Sequence, residues 1–107
     1  MIDVGAYCLS LPDAEETYPF GPQVTVFKVG GKMFAVVPAE ERPETITLKC
    51  DPERAIILRQ DFPEIVPGYH TNKRHWNTID LRGKVPEELV KDLIRHSYEL
   101  VARKPLQ

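Results

Sequence analysis

Thr45 to Cys50 alternates strictly, with Ile46, Leu48 and Cys50 on one side and Thr45, Thr47 and Lys49 on the other. Successive residues of a strand point to opposite faces, so this is a half-buried strand, and Cys50 reads as a small core residue. A longer period governs Pro86 to Arg103. There Leu89, Val90, Leu93, Ile94, Ser97, Leu100 and Val101 recur every three or four residues, the stripe of a helix lying on a core. Glu87 and Glu88 in its first turn, and Arg103 and Lys104 at its end, match the helix dipole; Pro105 terminates it.

The remaining elements are shorter. Ile2 to Leu11 predicts a first helix ending near Ser10, stopped by Pro12. Asp13 to Pro22, with Pro19, Gly21 and Pro22, reads as a solvated acidic loop. Val24–Val29 and Met33–Val37 are β-rich runs around Gly30-Gly31, a hairpin signal because glycine supplies the positive φ of a tight turn. Pro38 to Glu44 is a polar loop. Asp51-Pro52 opens a second helix, with Asp as N-cap and Pro in the first position; Ala55, Ile56 and Leu58 are its buried residues, and Pro63 ends it near Asp61. Ile65 and Val66 lead into Pro67-Gly68, compatible with a bend or an edge position but not a central strand. Tyr69 to Thr71 reads as extended, Asn72 to His75 as a turn, Trp76 to Leu81 as a strand, and Arg82-Gly83-Lys84 as the turn into the last helix. The expected fold class is α+β, an antiparallel sheet of four to six strands packed against helices.

Length and composition narrow the class. A chain of 107 residues with 42% hydrophobic residues is expected to form one domain spanning 1–107 with its own core. A net charge of −2 excludes a protein coated in positive charge, so any nucleic-acid surface must be local. Cys8 and Cys50 are too few and too far apart for a disulfide framework or a zinc site. No apolar run has the length of a membrane span, and the N-terminus lacks a signal-peptide pattern; the expected setting is cytoplasmic.

Candidate chemistry concentrates in Pro67–Leu81, PGYHTNKRHWNTIDL, which holds the only Trp, two of the three His and the Lys73–Arg74 pair. Lys73, Arg74, His70 and His75 can meet phosphates, Asn72 and Asn77 can bond phosphates or base edges, and Tyr69 or Trp76 can stack. Lys28, Lys32, Arg82 and Lys84 extend the patch if they face the same side. Read structurally, Trp76 is core and Lys73–Arg74 is a solvated turn. Alternation puts Trp76, Thr78 and Asp80 on one face and His75, Asn77, Ile79 and Leu81 on the other, so Trp76 is outside if Ile79 faces the core and the strand is regular. A protein- or ligand-binding adaptor using the same Trp, Tyr and Arg anchors is the alternative. His70 and His75, followed by Asp80, lack a clear third metal ligand, so neither metal nor cofactor is expected. No nucleophile motif, phosphate loop or paired-carboxylate signature is present, and the expectation is a non-enzymatic protein. His96, at the border of the helical stripe, reads as a partly buried structural histidine.

Leu9-Ser-Leu-Pro12, Tyr18-Pro-Phe-Gly21, Val26-Phe-Lys-Val-Gly-Gly-Lys-Met-Phe34, Leu48-Lys-Cys-Asp51, Pro67-Gly-Tyr-His-Thr-Asn-Lys-Arg-His-Trp-Asn-Thr78 and His96-Ser-Tyr98 together resemble the MmcQ/YjbR family of small bacterial proteins. The resemblance covers nearly the whole chain. It implies a CyaY-like, "double wing" fold of antiparallel strands on helices, and a DNA-binding role that rests on fold analogy. The first helix is shorter here than is usual for the family.

Overall fold

The computed structural model describes residues 2–68 and 71–103. The elements run α1 (Val4–Leu9), β1 (Glu15–Thr17), β2 (Val24–Val29), β3 (Lys32–Pro38), β4 (Thr45–Lys49), α2 (Pro52–Asp61), β5 (Ile65–Pro67), β6 (Trp76–Asp80) and α3 (Glu87–Ala102). The six strands form one antiparallel sheet in the order β1-β2-β3-β4-β6-β5.

Local chemistry sets each boundary. Asp3 caps α1 by accepting from the Ala6 amide at 3.0 Å, and Asp51 caps α2 by accepting from the Arg54 amide at 3.2 Å, with Pro52 in the first turn. Gly30 and Gly31, at φ 58° and 78°, make the tight β2–β3 turn in a region that L side chains rarely enter. α3 ends at Arg103 in a left-handed conformation, while Lys104 and Pro105 lie outside the described residues.

The register separates the two faces of the sheet. Phe27, Ala35, Leu48 and Asn77 align across β2, β3, β4 and β6, as do Ile46, Ile79 and Ile65 across β4, β6 and β5. This is the helix-covered face. Here Val4 and Cys8 of α1, Ala55 and Leu58 of α2, and Val90, Leu93, Ile94, Tyr98 and Val101 of α3 pack with the strands into one core. Burial pushes the Cys8 thiol up to about 12, which makes it an inert core residue. The Phe34 and Tyr98 rings meet edge-on at 5.4 Å, and the Tyr98 hydroxyl donates to the Pro12 carbonyl at 2.5 Å. Ser97, fully buried, donates to the Phe34 carbonyl at 2.5 Å and accepts from the Lys49 amide at 3.0 Å, which pins α3 to β3 and β4. The other face carries a second aligned row, Thr17, Val26, Val36, Thr47, Thr78 and Val66, one residue from each strand.

Three expectations need correction. Asp13–Pro22 is not wholly loop: Glu15–Thr17 pairs with Val26–Lys28 as edge strand β1. Three residues, two of them Glu, carry no β signal of their own, and the pairing is tertiary. Ile56 is exposed, because α2 touches the core only along Ala55 and Leu58. Leu100 is also exposed, and Tyr98 takes the place expected for it in the α3 stripe. Among the described residues no helix is long and apolar enough to cross a membrane.

Candidate functional site

The loop between β5 and β6 rises from the end of the sheet where Gly68 donates to the Trp76 carbonyl at 2.8 Å. A side chain at Gly68 would collide with the Trp76 backbone and side chain, its Cβ lying 2.9 Å from that of Trp76, so glycine permits the loop to close on Trp76. Asn72 to His75 is a turn, as expected: the His75 amide donates to the Asn72 carbonyl at 3.1 Å and the Arg74 amide to Asn72 Oδ1 at 3.0 Å. The Cys50 amide donates to the His75 carbonyl at 2.8 Å, which fastens the turn to the start of α2.

Arg59 of α2 organises this corner. Its Nε donates to Asn77 Oδ1 at 2.7 Å, and its Nη2 to the carbonyls of Lys73 and, at 3.4 Å, of Trp76. The sequence reading missed it. The available signal was position: Arg59 lies four residues beyond buried Ala55 and next to buried Leu58, so it borders the inward stripe of α2.

The predicted residues do not share one environment. Trp76, at 8% exposure, and Asn77, at 3%, are buried and cannot stack or bond a ligand as placed. Register puts Trp76 with Lys49 on the face away from the helices, as alternation required, but it is buried there, with Gly68 packed close against it. Asn77 is held through Oδ1, while its Nδ2 has no partner among the described residues. Lys73 and Asn72 are exposed yet engaged, Lys73 Nζ donating to the Gly68 carbonyl at 3.1 Å. Arg74 is exposed, and no partner of its guanidinium is found among the described residues; His75 is half-buried. Tyr69 and His70 lie outside the described residues. Among the described residues no cluster of three His, Cys, Asp or Glu has the geometry to hold a metal.

Arg59, Lys73 and Arg74 converge on one shallow cleft of about 370 Å³, with Glu53 as the only carboxylate among its described lining residues and Pro52 and Ile56 as its apolar wall. Topology adds further cations nearby. Val29 pairs with Lys32 and Lys49 with Trp76, so Lys28, Lys32 and Lys49 lie at the same end of the sheet as this loop. Arg82 and Lys84 follow β6 at the opposite end, and Arg82 is bound there to Asp80 at 3.0 Å and Glu44 at 3.2 Å. A larger cleft, about 630 Å³, is also remote. It is walled by Asp3, Glu41 and Glu87 as well as Arg42 and Arg82, a mixture without a dominant sign or a nucleophile. His96, half-buried, accepts from the Asp51 amide through Nε2 at 3.1 Å, the structural role read from the sequence. Cys50 is buried and its thiol is pushed up by that burial.

Residues 9–100 match the family model YjbR. The chain is 42% identical over 93 residues to the uncharacterised protein YbdF of Escherichia coli O157:H7, spanning 87% of this chain and 76% of that one. It is 36% identical over 93 residues to the uncharacterised protein YjbR of Escherichia coli K12, spanning 87% and 79%. A crystal structure of a Deinococcus radiodurans protein with the family-model domain DUF419 superposes with a TM-score of 0.87 at 44% identity, over 98% of this chain and 80% of that chain.

Proposed function

We propose that this chain, which belongs to the YjbR family, is a non-enzymatic, cytoplasmic DNA-binding module that holds the phosphate backbone at the corner between α2 and the β5–β6 loop. The observation that supports the reading is the convergence of Arg59, Lys73 and Arg74 on a cleft with one opposing carboxylate among its described lining residues, in a chain whose net charge is −2. A local excess of guanidinium and ammonium groups suits phosphate oxygens. Burial of Trp76 takes away the stacking platform, so recognition here is electrostatic and weakly selective.

Binding of single- and double-stranded DNA over a salt series tests this directly. Replacing Lys73 and Arg74 together by Ala should flatten the slope of log affinity against log salt by about two. Unchanged binding in that double variant, or no binding by the wild type at low salt, refutes the reading. One observation favours a protein-binding adaptor as the second reading: Ile56 and Ile57 are 53% and 56% exposed on the same helix, beside the cleft. An adaptor using that apolar wall would bind with little salt dependence.

A further inference from the structure

The cleft at the α2 corner carries more than cations. Pro52, Ile56 and Arg59 recur along α2 at spacings of four and three, so they share one side of the helix and form its wall of the cleft. At 1.5 Å per residue that wall is about 10 Å long. Lys73 and Arg74 of the β5–β6 loop face it, and Glu53 joins from the first turn of α2.

A phosphate alone needs neither the isoleucine nor the carboxylate. Apolar surface offers nothing to phosphate oxygens, and Glu53 repels them. Yet Ile56 stands 53% exposed in this wall. Both groups suit a ligand that brings apolar surface and hydrogen-bond donors along with its phosphate. An unpaired base does so. Its faces are largely apolar, and its Watson–Crick edge carries N–H donors that a carboxylate can accept. In a duplex the faces are stacked and those donors are engaged in pairing, so a shallow cleft meets only sugar and phosphate.

The cations fit the same ligand. Arg59 spends Nε on Asn77 and Nη2 on the Lys73 and Trp76 carbonyls, and Lys73 Nζ donates to the Gly68 carbonyl. Arg74 is exposed, no partner of its guanidinium is found among the described residues, and its amide is fixed by Asn72 Oδ1. It is therefore the cation available for a bidentate phosphate contact. A cleft of about 370 Å³ lies at the small end of ligand sites and has room for about one nucleotide unit.

From the exposed Ile56 and the Glu53 carboxylate in one cleft with Arg74, we infer that this site selects single-stranded DNA over duplex. An unpaired base seats against Pro52 and Ile56, its edge donates to Glu53, and a neighbouring phosphate lies on Arg74. The inference rests on the DNA-binding reading and deepens it. With Trp76 buried the wall is aliphatic, so the site distinguishes strand from duplex with little choice among bases.

Fluorescence anisotropy of the full chain tests it. The probes are a labelled strand of roughly 12 nucleotides, its annealed duplex, and a strand of equal length built of abasic units, all at about 50 mM salt. The wild type should bind the natural strand about tenfold tighter than the duplex or the abasic strand. Ile56→Ala should cut that preference to about twofold. Glu53→Ala relieves phosphate repulsion for every probe, so it should tighten the duplex and lower the ratio of strand to duplex affinity. Ile57→Ala removes a similarly exposed neighbour that is not among the cleft's described lining residues, and should keep the wild-type ratio. Circular dichroism would verify that each variant is folded. Equal affinity for strand and duplex, an abasic strand that binds as well as the natural one, or an Ile56→Ala preference equal to wild type overturns the inference. The DNA-binding reading survives any of these if the duplex still loses affinity when Lys73 and Arg74 are both replaced by Ala. No binding of any probe overturns both.

Discussion

Two buried polar side chains, Ser97 and Asn77, sit at opposite seams of the sheet and are handled differently. Ser97 donates to the Phe34 carbonyl and accepts from the Lys49 amide, so both its donor and its acceptor function have partners. Asn77 spends its carbonyl on Arg59, while its amide nitrogen has no partner among the described residues. A fully paired buried group fixes a seam, whereas a partly paired one marks a place where structure has been compromised. The α3 seam serves the fold. At the α2 corner a loop is held by a cation, Arg59, that also faces an open cleft.

The largest expected effect tests whether the burial of Trp76 is structural. Trp76→Ala should cost roughly 3–5 kcal/mol of stability, the usual range for a buried Trp. A loss below about 1 kcal/mol with DNA binding abolished would make Trp76 a contact residue and erase the difference between the seams. Next come the two polar anchors. Ser97→Ala leaves a buried carbonyl and a buried amide unpaired and should cost about 1–3 kcal/mol by denaturant unfolding. Arg59→Ala should cost less, about 1 kcal/mol, since Arg59 is only half-buried, but should increase amide exchange across 71–75. Equal protection of those amides in wild type and variant would show that Arg59 does not hold the loop.

A smaller effect concerns pH. Burial, with the Arg54 cation adding to it, holds the His96 imidazole below its ordinary 6.5, and its neutral Nε2 accepts from the Asp51 amide. The unfolded chain then takes up a proton near pH 6.5 that the folded chain does not, so stability is full above that pH and falls as pH drops below it. His96→Gln should flatten this slope between about pH 7.5 and 5.5. Stability of the wild type that rises as pH falls through this window would contradict the assignment.

The sequence made some of this legible and hid the rest for physical reasons. The alternation at Thr45–Lys49, the stripe from Val90 to Val101, the Gly30-Gly31 turn and the Asp51-Pro52 start are local signals, and each element appears where its pattern lies. Strand β1 was invisible because Glu15–Thr17 is extended only through its pairing with β2. Ile56 was misplaced because a ten-residue helix with Ala55 and Leu58 inward leaves its neighbours outward, and hydrophobicity does not report which side is covered. For Trp76, alternation correctly gave the face. It could not give the burial, because Gly68 reaches Trp76 only once β5 and β6 have paired. The Lys73–Arg74 pair was visible by charge, whereas Arg59, fourteen positions before Lys73, joins it only through the fold.

The central claim is that ligand recognition belongs to the α2 corner. Titrating the ¹⁵N-labelled chain with a short single-stranded DNA at low salt and following every amide tests this most directly. The account predicts shifts confined to residues 71–75 and to α2 from Glu53 to Arg59, reversed by added salt and reduced in Arg74→Ala, whose stability should stay within about 0.5 kcal/mol of wild type. Shifts centred instead on Thr47, Thr78 and Val66, or on the remote cleft around Arg42 and Val85, would contradict it.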